Sequence, residues 1–153
     1  MEGHGEGKGF GKGAIHWHFK LPAHTEAILE VASEIPVVNQ LGFHPYLQRD
    51  NGFLSWMREH DIEVLSFNGL VPITAGKDGP LDNILPNIAQ KYGVGGGAVL
   101  LRWAVNQKVV PITTTAKMER MDEYLSSLDL ELTREEQKEL ARVGLVGDEV
   151  FPA

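Results

Sequence analysis

The stretch Pro36-Val37-Val38-Asn39-Gln40-Leu41-Gly42-Phe43-His44-Pro45-Tyr46 decides how the rest of the chain is read. Pro36 cannot donate the backbone hydrogen bond that a helix interior needs, so any helical pattern before it has to stop there. Val37 to Leu41 is a short, largely apolar run that reads as a strand, and Gly42 to Tyr46 reads as the loop that leaves it. On the amino side, residues 25–33 set Ile28, Leu29, Val31 and Ala32 as an apolar stripe between Glu26, Glu30 and Glu34, which predicts a helix. On the carboxyl side, residues 52–60 offer Phe53, Leu54 and Met57 as the core face of another. A strand bracketed by amphipathic helices is the repeating unit of a parallel sheet.

The same alternation extends outward in both directions. Strands are predicted at Ala14 to Phe19, Ile62 to Phe67 and Val109 to Thr113. Helices are expected at Leu81 to Tyr92, interrupted near Pro86, at Ala98 to Gln107 after a Gly95-Gly96-Gly97 turn, and at Lys117 to Leu128. Thr133 and Glu136 have the spacing of a capping box and open a last helix through Val143. Asn68 to Pro80 is a long Gly/Pro-rich loop at the carboxyl end of a strand, a place where loops tend to be functional. The pattern divides the chain into a glycine-rich flexible tail at 1–13, a (βα)4 unit at 14–143 and a loose carboxyl tail at 144–153. In the first segment glycine occupies every second position from 3 to 13, and no strand precedes it, so a dinucleotide-binding glycine loop is a poor reading. A small open sheet and half of a closed barrel both satisfy four βα units.

Composition narrows the function classes. At 153 residues the chain is too short for a complete eight-stranded barrel, which takes about 250. A net charge of −7 gives no basic footprint for nucleic acid, and no apolar run is long enough to span a membrane. The absence of cysteine removes disulfides, thiolate metal sites and cysteine nucleophiles together. With no apolar or Arg-rich leader pattern at the amino terminus, a cytoplasmic location is the expectation.

Several motifs in register then carry a resemblance: Pro36-Val37-Val38-Asn39-Gln40, His44-Pro45-Tyr46-Leu47-Gln48, Leu100-Leu101-Arg102-Trp103-Ala104 with Gln107, and Val109-Val110-Pro111. In order and spacing they resemble the carboxyl-terminal half of the aldo-keto reductases, over roughly Lys20 to Val143. That family folds as a (β/α)8 TIM-type barrel, so the resemblance implies that this chain supplies strands five to eight. The family reduces carbonyls with NADPH through an Asp, a Tyr, a Lys and a His of the first four strands, and no position here matches any of them. Gln40 matches the family's glutamine on the nicotinamide carboxamide, and Phe67 the aromatic ring that stacks on the nicotinamide. Arg120 resembles a phosphate-binding arginine, in a loop about two residues longer than the family's spacing. The family's Ser-Asn pair is replaced by Trp17-His18, and its Lys-Ser at the last strand by Ile112-Thr113-Thr114-Thr115.

Half a barrel leaves two sheet edges and the inward face open, and a homodimer that rebuilds eight strands would close them. A partner chain carrying the other half is the rival. Barrel enzymes place their chemistry at the carboxyl ends of strands. There the sequence sets His16 and His18, which share one strand face, as candidate proton carriers. Trp17, Gln40, His44, Phe67 and Asn68 are candidate substrate contacts, and Gln40, Phe67 and Arg120 candidate cofactor contacts if NADPH binds. The three histidines His16, His18 and His44 lack a carboxylate partner, so no metal site is expected. The reading that follows is an enzyme that works without a cofactor, by acid/base isomerisation, dehydration or cyclisation of a small carbonyl-bearing metabolite. Its alternatives are an NADPH-dependent carbonyl reductase completed by a partner chain, and a non-catalytic remnant that binds ligand.

Overall fold

The computed structural model describes residues 16–17, 22–49 and 52–148. The glycine-rich segment, His18 and residues 149–153 lie outside the described residues, and of His16 and Trp17 only the backbone is described. Strand β1 (His16–Trp17) is followed by α1 (Pro22–Leu29), β2 (Val38–Gly42), α2 (Phe53–Glu59) and β3 (Glu63–Phe67). Two 3-10 turns, Val71–Ile73 and Pro80–Asn83, fold the long loop before α3 (Leu85–Tyr92) and α4 (Gly96–Asn106). Strand β4 (Val110–Pro111), α5 (Met118–Ser126) and α6 (Arg134–Asp148) complete the chain. The four strands are all parallel and stand in the order β1-β2-β3-β4, as expected of consecutive βα units.

Strand alternation gives the sheet two unlike faces. Asn39 and Leu41 of β2 and Val64 and Ser66 of β3 are buried beneath the helices, with the Asn39 amide 3.9 Å from Met57 Sδ of α2. Their neighbours Val38, Gln40, Leu65 and Phe67 are only half-buried on the opposite face, and β4 leaves Val110 51% exposed. Among the described residues nothing covers that inner face as the helices cover the outer one. The core is therefore one-sided: Leu41, Phe43, Met57, Val99, Trp103 and Leu140 lie between sheet and helices, with the Phe43 and Trp103 rings stacked 5.1 Å apart.

Local differences from the sequence reading have physical causes. The helix expected at 25–33 ends at Leu29; its buried member is Thr25, while Val31, counted in the apolar stripe, is 82% exposed. The stretch expected at 81–92 is broken near Pro86 as anticipated, into the 3-10 turn ending at Asn83 and α3 from Leu85; Pro86 itself sits in the first turn of α3, where its missing N–H costs nothing. The Gly95-Gly96-Gly97 turn is instead the opening of α4. A Cβ on Gly96 would lie 3.1 Å from Leu85 Cδ2 and one on Gly97 3.1 Å from Tyr124 Cε1, so the helix start packs where side chains have no room. The capping box forms as expected, with Glu136 N–H donating to Thr133 Oγ1 (3.2 Å) and Thr133 N–H to Glu136 Oε2 (2.9 Å). Glu136 also accepts from Lys91 Nζ (2.7 Å) and Tyr92 Oη (2.7 Å). Partial burial works against its charge, yet these donors hold its carboxyl down to about 2.

Of the loose tail expected at 144–153, residues 144–148 are helix instead. α6 runs on to Asp148, and Gly144 is buried against the loop after β2: a Cβ there would stand 2.2 Å from the Pro45 carbonyl oxygen. Gln48 ties the same contact, its amide donating to the carbonyls of Pro45 (2.7 Å) and Ala141 (2.6 Å). Tyr46, fully buried, accepts from the Leu81 N–H (3.1 Å), so the loop is held from two sides.

Candidate cofactor groove at the strand ends

Parallel pairing places Gln40 beside Leu65 and Gly42 beside Phe67. Gln40 and Phe67 thus share the inner face of adjacent strands, Gln40 at the middle of β2 and Phe67 two rungs further along, at the carboxyl end of β3. The glycine at 42 leaves the ring room: a Cβ there would meet Phe67 Cε2 at 3.6 Å and Leu47 Cδ2 at 3.3 Å. Beyond Phe67 the chain turns sharply through Asn68, which adopts a left-handed backbone (φ 60°) and accepts from the Val71 N–H at 3.0 Å. A groove of about 380 Å³ runs from Phe67 and Asn68 along the loop to Val71 and Thr74, facing Ile112, Thr113 and Thr114 past the end of β4.

Its lining is uncharged: an aromatic ring, an amide, hydroxyls and aliphatic groups. Such a surface suits a flat heterocycle with polar substituents, the ring held by stacking and the substituents by amide and hydroxyl groups. The half-buried Gln40 amide, able both to donate and to accept, does not line the groove itself but stands on the same sheet face as the Phe67 ring. This residue set fits a nicotinamide carboxamide.

The other expected site residues fare differently. His44 is buried (6% exposed) within the loop after β2, edge-on to the Tyr46 ring, its Nδ1 without a hydrogen-bond partner; it does not line the groove. Burial, helped by the nearby Arg49 charge, holds its pKa down to about 4, so at neutral pH it is uncharged. Arg120 lies exposed in the first turn of α5 and does not line the groove, although the Lys117 N–H just before that turn donates to Thr115 Oγ1 (3.1 Å). The backbone of β1 sets His16 beside Val38 and Trp17 beside Asn39. Among the described residues no cluster of three His, Cys, Asp or Glu could hold a metal ion. Thr74 and Gly42 were not singled out from the sequence. Thr74 lies in a loop without periodicity; Gly42 carried a usable signal, a glycine two residues after Gln40 on the same face.

Residues 19–144 match the model of the aldo/keto reductase family. The chain belongs to that family. The NAD/NADP-dependent indole-3-acetaldehyde reductase of Schizosaccharomyces pombe is 31% identical over 140 residues, covering 88% of this chain and 49% of the relative. The NADPH-dependent alpha-keto amide reductase of Saccharomyces cerevisiae is 33% identical over 125 residues, 78% of this chain and 40% of the relative. The chain thus spans about half the length of the curated relatives it matches. Among solved structures, an aldo/keto reductase of Brucella melitensis superposes with a TM-score of 0.69 at 23% identity, over 82% of this chain and 46% of that one. An NADPH complex of a Gox0644 mutant gives 0.71 at 22% identity, over 82% and 45%. The fold shown is thus part of an α/β TIM-type barrel. These relatives also correct the expectation of an enzyme that needs no cofactor: they are named for their dependence on NAD or NADP, and isomerase, dehydratase or cyclase chemistry finds no counterpart among them.

Within the described residues, no helix is long and apolar enough to cross a membrane.

Proposed function

We propose that this chain forms the cofactor-holding side of a nicotinamide-dependent reductase that acts on a small aldehyde or ketone. The observation that carries this reading is Phe67 at the mouth of an uncharged groove, with Gln40 on the same face of the adjacent strand. Relatives that reduce an aldehyde or a keto amide with NAD or NADP support the substrate class.

In this reading Phe67 stacks on the nicotinamide ring, fixing which ring face looks into the barrel, and Gln40 bonds the carboxamide so that the ring cannot rotate in its plane. Asn68, Thr113 and Thr114 take the sugar and bridging portions, and Arg120, with Lys117 beside it, neutralises phosphate from the start of α5. The bound dinucleotide supplies the hydride. Gly42 and Leu47 keep the ring seat apolar and exclude water from it. The acid that protonates the carbonyl oxygen comes from the barrel's first half, because no residue here matches the family's Asp, Tyr, Lys and His. His16 and His18, expected as proton carriers, have no part in the proton path of this reading.

Titration of the purified chain with NADPH and NADH, followed by tryptophan quenching, tests this. Saturable binding is expected, weakened about tenfold in Phe67→Ala and by a similar factor in Gln40→Ala. Absence of saturable binding by either nucleotide, or binding indifferent to both substitutions, overturns the reading.

A further inference from the structure

A smaller crevice, of about 210 Å³, lies between the loop after β2, α2 and the carboxyl end of α4, and it shares no residue with the strand-end groove. The stacked rings of Phe43 and Trp103 border it. Two arginines line it as well, Arg49 from the loop and Arg58 from the last turn of α2, with no acidic side chain among the described lining residues. Each arginine is anchored on a main-chain carbonyl of a different element: Arg49 Nε donates to that of Gly42 (3.4 Å), and Arg58 Nη2 to that of Gln107. A guanidinium carries five donors in a planar fork, and the Gln107 carbonyl engages one of those on Arg58. Arg49 also holds a left-handed backbone (φ 55°), a conformation that a non-glycine residue adopts only where its surroundings impose it.

Two like charges on one small space repel each other, and an anion between them turns that repulsion into two attractions. Such a pocket stands out in a chain of net charge −7. We propose that this crevice binds a phosphate group, free or carried on a small metabolite, between Arg49 and Arg58. Ser55 and Gln107, also in the lining, add a hydroxyl and an amide, so donors on the loop, α2 and the end of α4 meet the several oxygens of a phosphate, where a carboxylate offers only two. Size sets the upper limit. Sites for drug-sized ligands run from about 300 to 1,000 Å³, so this one takes a single phosphate with a short carbon body rather than a nucleotide. The proposal stands apart from the reductase reading, whose groove holds neither arginine.

Titration of the full chain with inorganic phosphate at constant ionic strength, followed by amide NMR shifts, tests it. Saturable shifts are expected at residues 49, 55, 58 and 107, with the half-saturation point raised about tenfold in Arg49→Gln and in Arg58→Gln. Arg58→Gln also gives up the bond to the Gln107 carbonyl, so Arg58→Lys, which keeps the charge without the fork, accompanies it and should bind between parent and Arg58→Gln. Circular dichroism is expected to find each variant as folded as the parent, neither arginine being buried. Glycerol phosphate saturating below inorganic phosphate assigns a phosphorylated metabolite, and the reverse assigns the free ion. Shifts that grow without saturation, shifts that chloride reproduces, or a half-saturation point untouched by both glutamine substitutions overturn the proposal.

Discussion

The two sides of the sheet are built from the same few strands yet live in different surroundings. On the helix side Leu41, Val64, Phe43 and Trp103 are almost without solvent contact. On the inner side and along the β4–α5 flank, Val110, Leu125 and Leu128 are at least half exposed. Apolar side chains are equally costly to expose on either side, so the contrast shows that closure, rather than composition, separates them. The helix layer closes locally, because each helix folds back on strands adjacent in sequence. The inner layer closes only when strands distant in sequence, or on another chain, arrive.

Substitutions can break that contrast. Trp103→Ala removes a ring stacked on Phe43 and a hydrogen bond to the Gln137 carbonyl (3.3 Å), and is expected to cost about 3–5 kcal/mol in chemical denaturation. A loss below about 1 kcal/mol would mean that the helix side is not the closed one. Gly144→Val places a side chain against the Pro45 carbonyl and should cost about 1–3 kcal/mol, with raised hydrogen exchange in the loop at residues 43–48. His44 sharpens the comparison through pH. Its native pKa of about 4 lies below the unfolded value of 6.5, so the unfolded chain takes up the proton first. Stability is therefore fully present above pH 6.5 and falls between 6.5 and 4, by up to about 3 kcal/mol, a slope that urea melts should find flattened in His44→Asn. The smallest effect belongs to the open flank: Leu125→Ala is expected to change the stability of the chain alone by less than about 0.5 kcal/mol. A larger loss would show that α5 is already packed in the free chain.

Much of this architecture was legible in the residues. Val37 to Leu41 and Ile62 to Phe67 read correctly as strands within a residue, and Thr133 with Glu136 marked the start of α6, whereas the helix expected to stop at Pro36 ends at Leu29. The pattern set Phe67 at a strand end, where it lies, while Gln40 stands at the middle of β2. What stayed hidden depended on contacts between distant segments. Gly144 looked like the start of a tail because glycine lowers helix propensity, whereas its place is set by the approach of the α6 backbone to Pro45. Val31 belonged to an apolar stripe, but the helix stopped before reaching it.

From the order of its residues alone, this protein specified its alternation of strands and helices, the parallel sense of the sheet and the residues brought to the strand ends. These follow from periodicity, proline stops and the short connections that join neighbouring elements. Tertiary packing alone decided that His44 is an uncharged buried group, that residues 144–148 are helix, and that one sheet face and α5 remain open. Each of those depends on which distant surface comes within contact distance, and no local pattern encodes that.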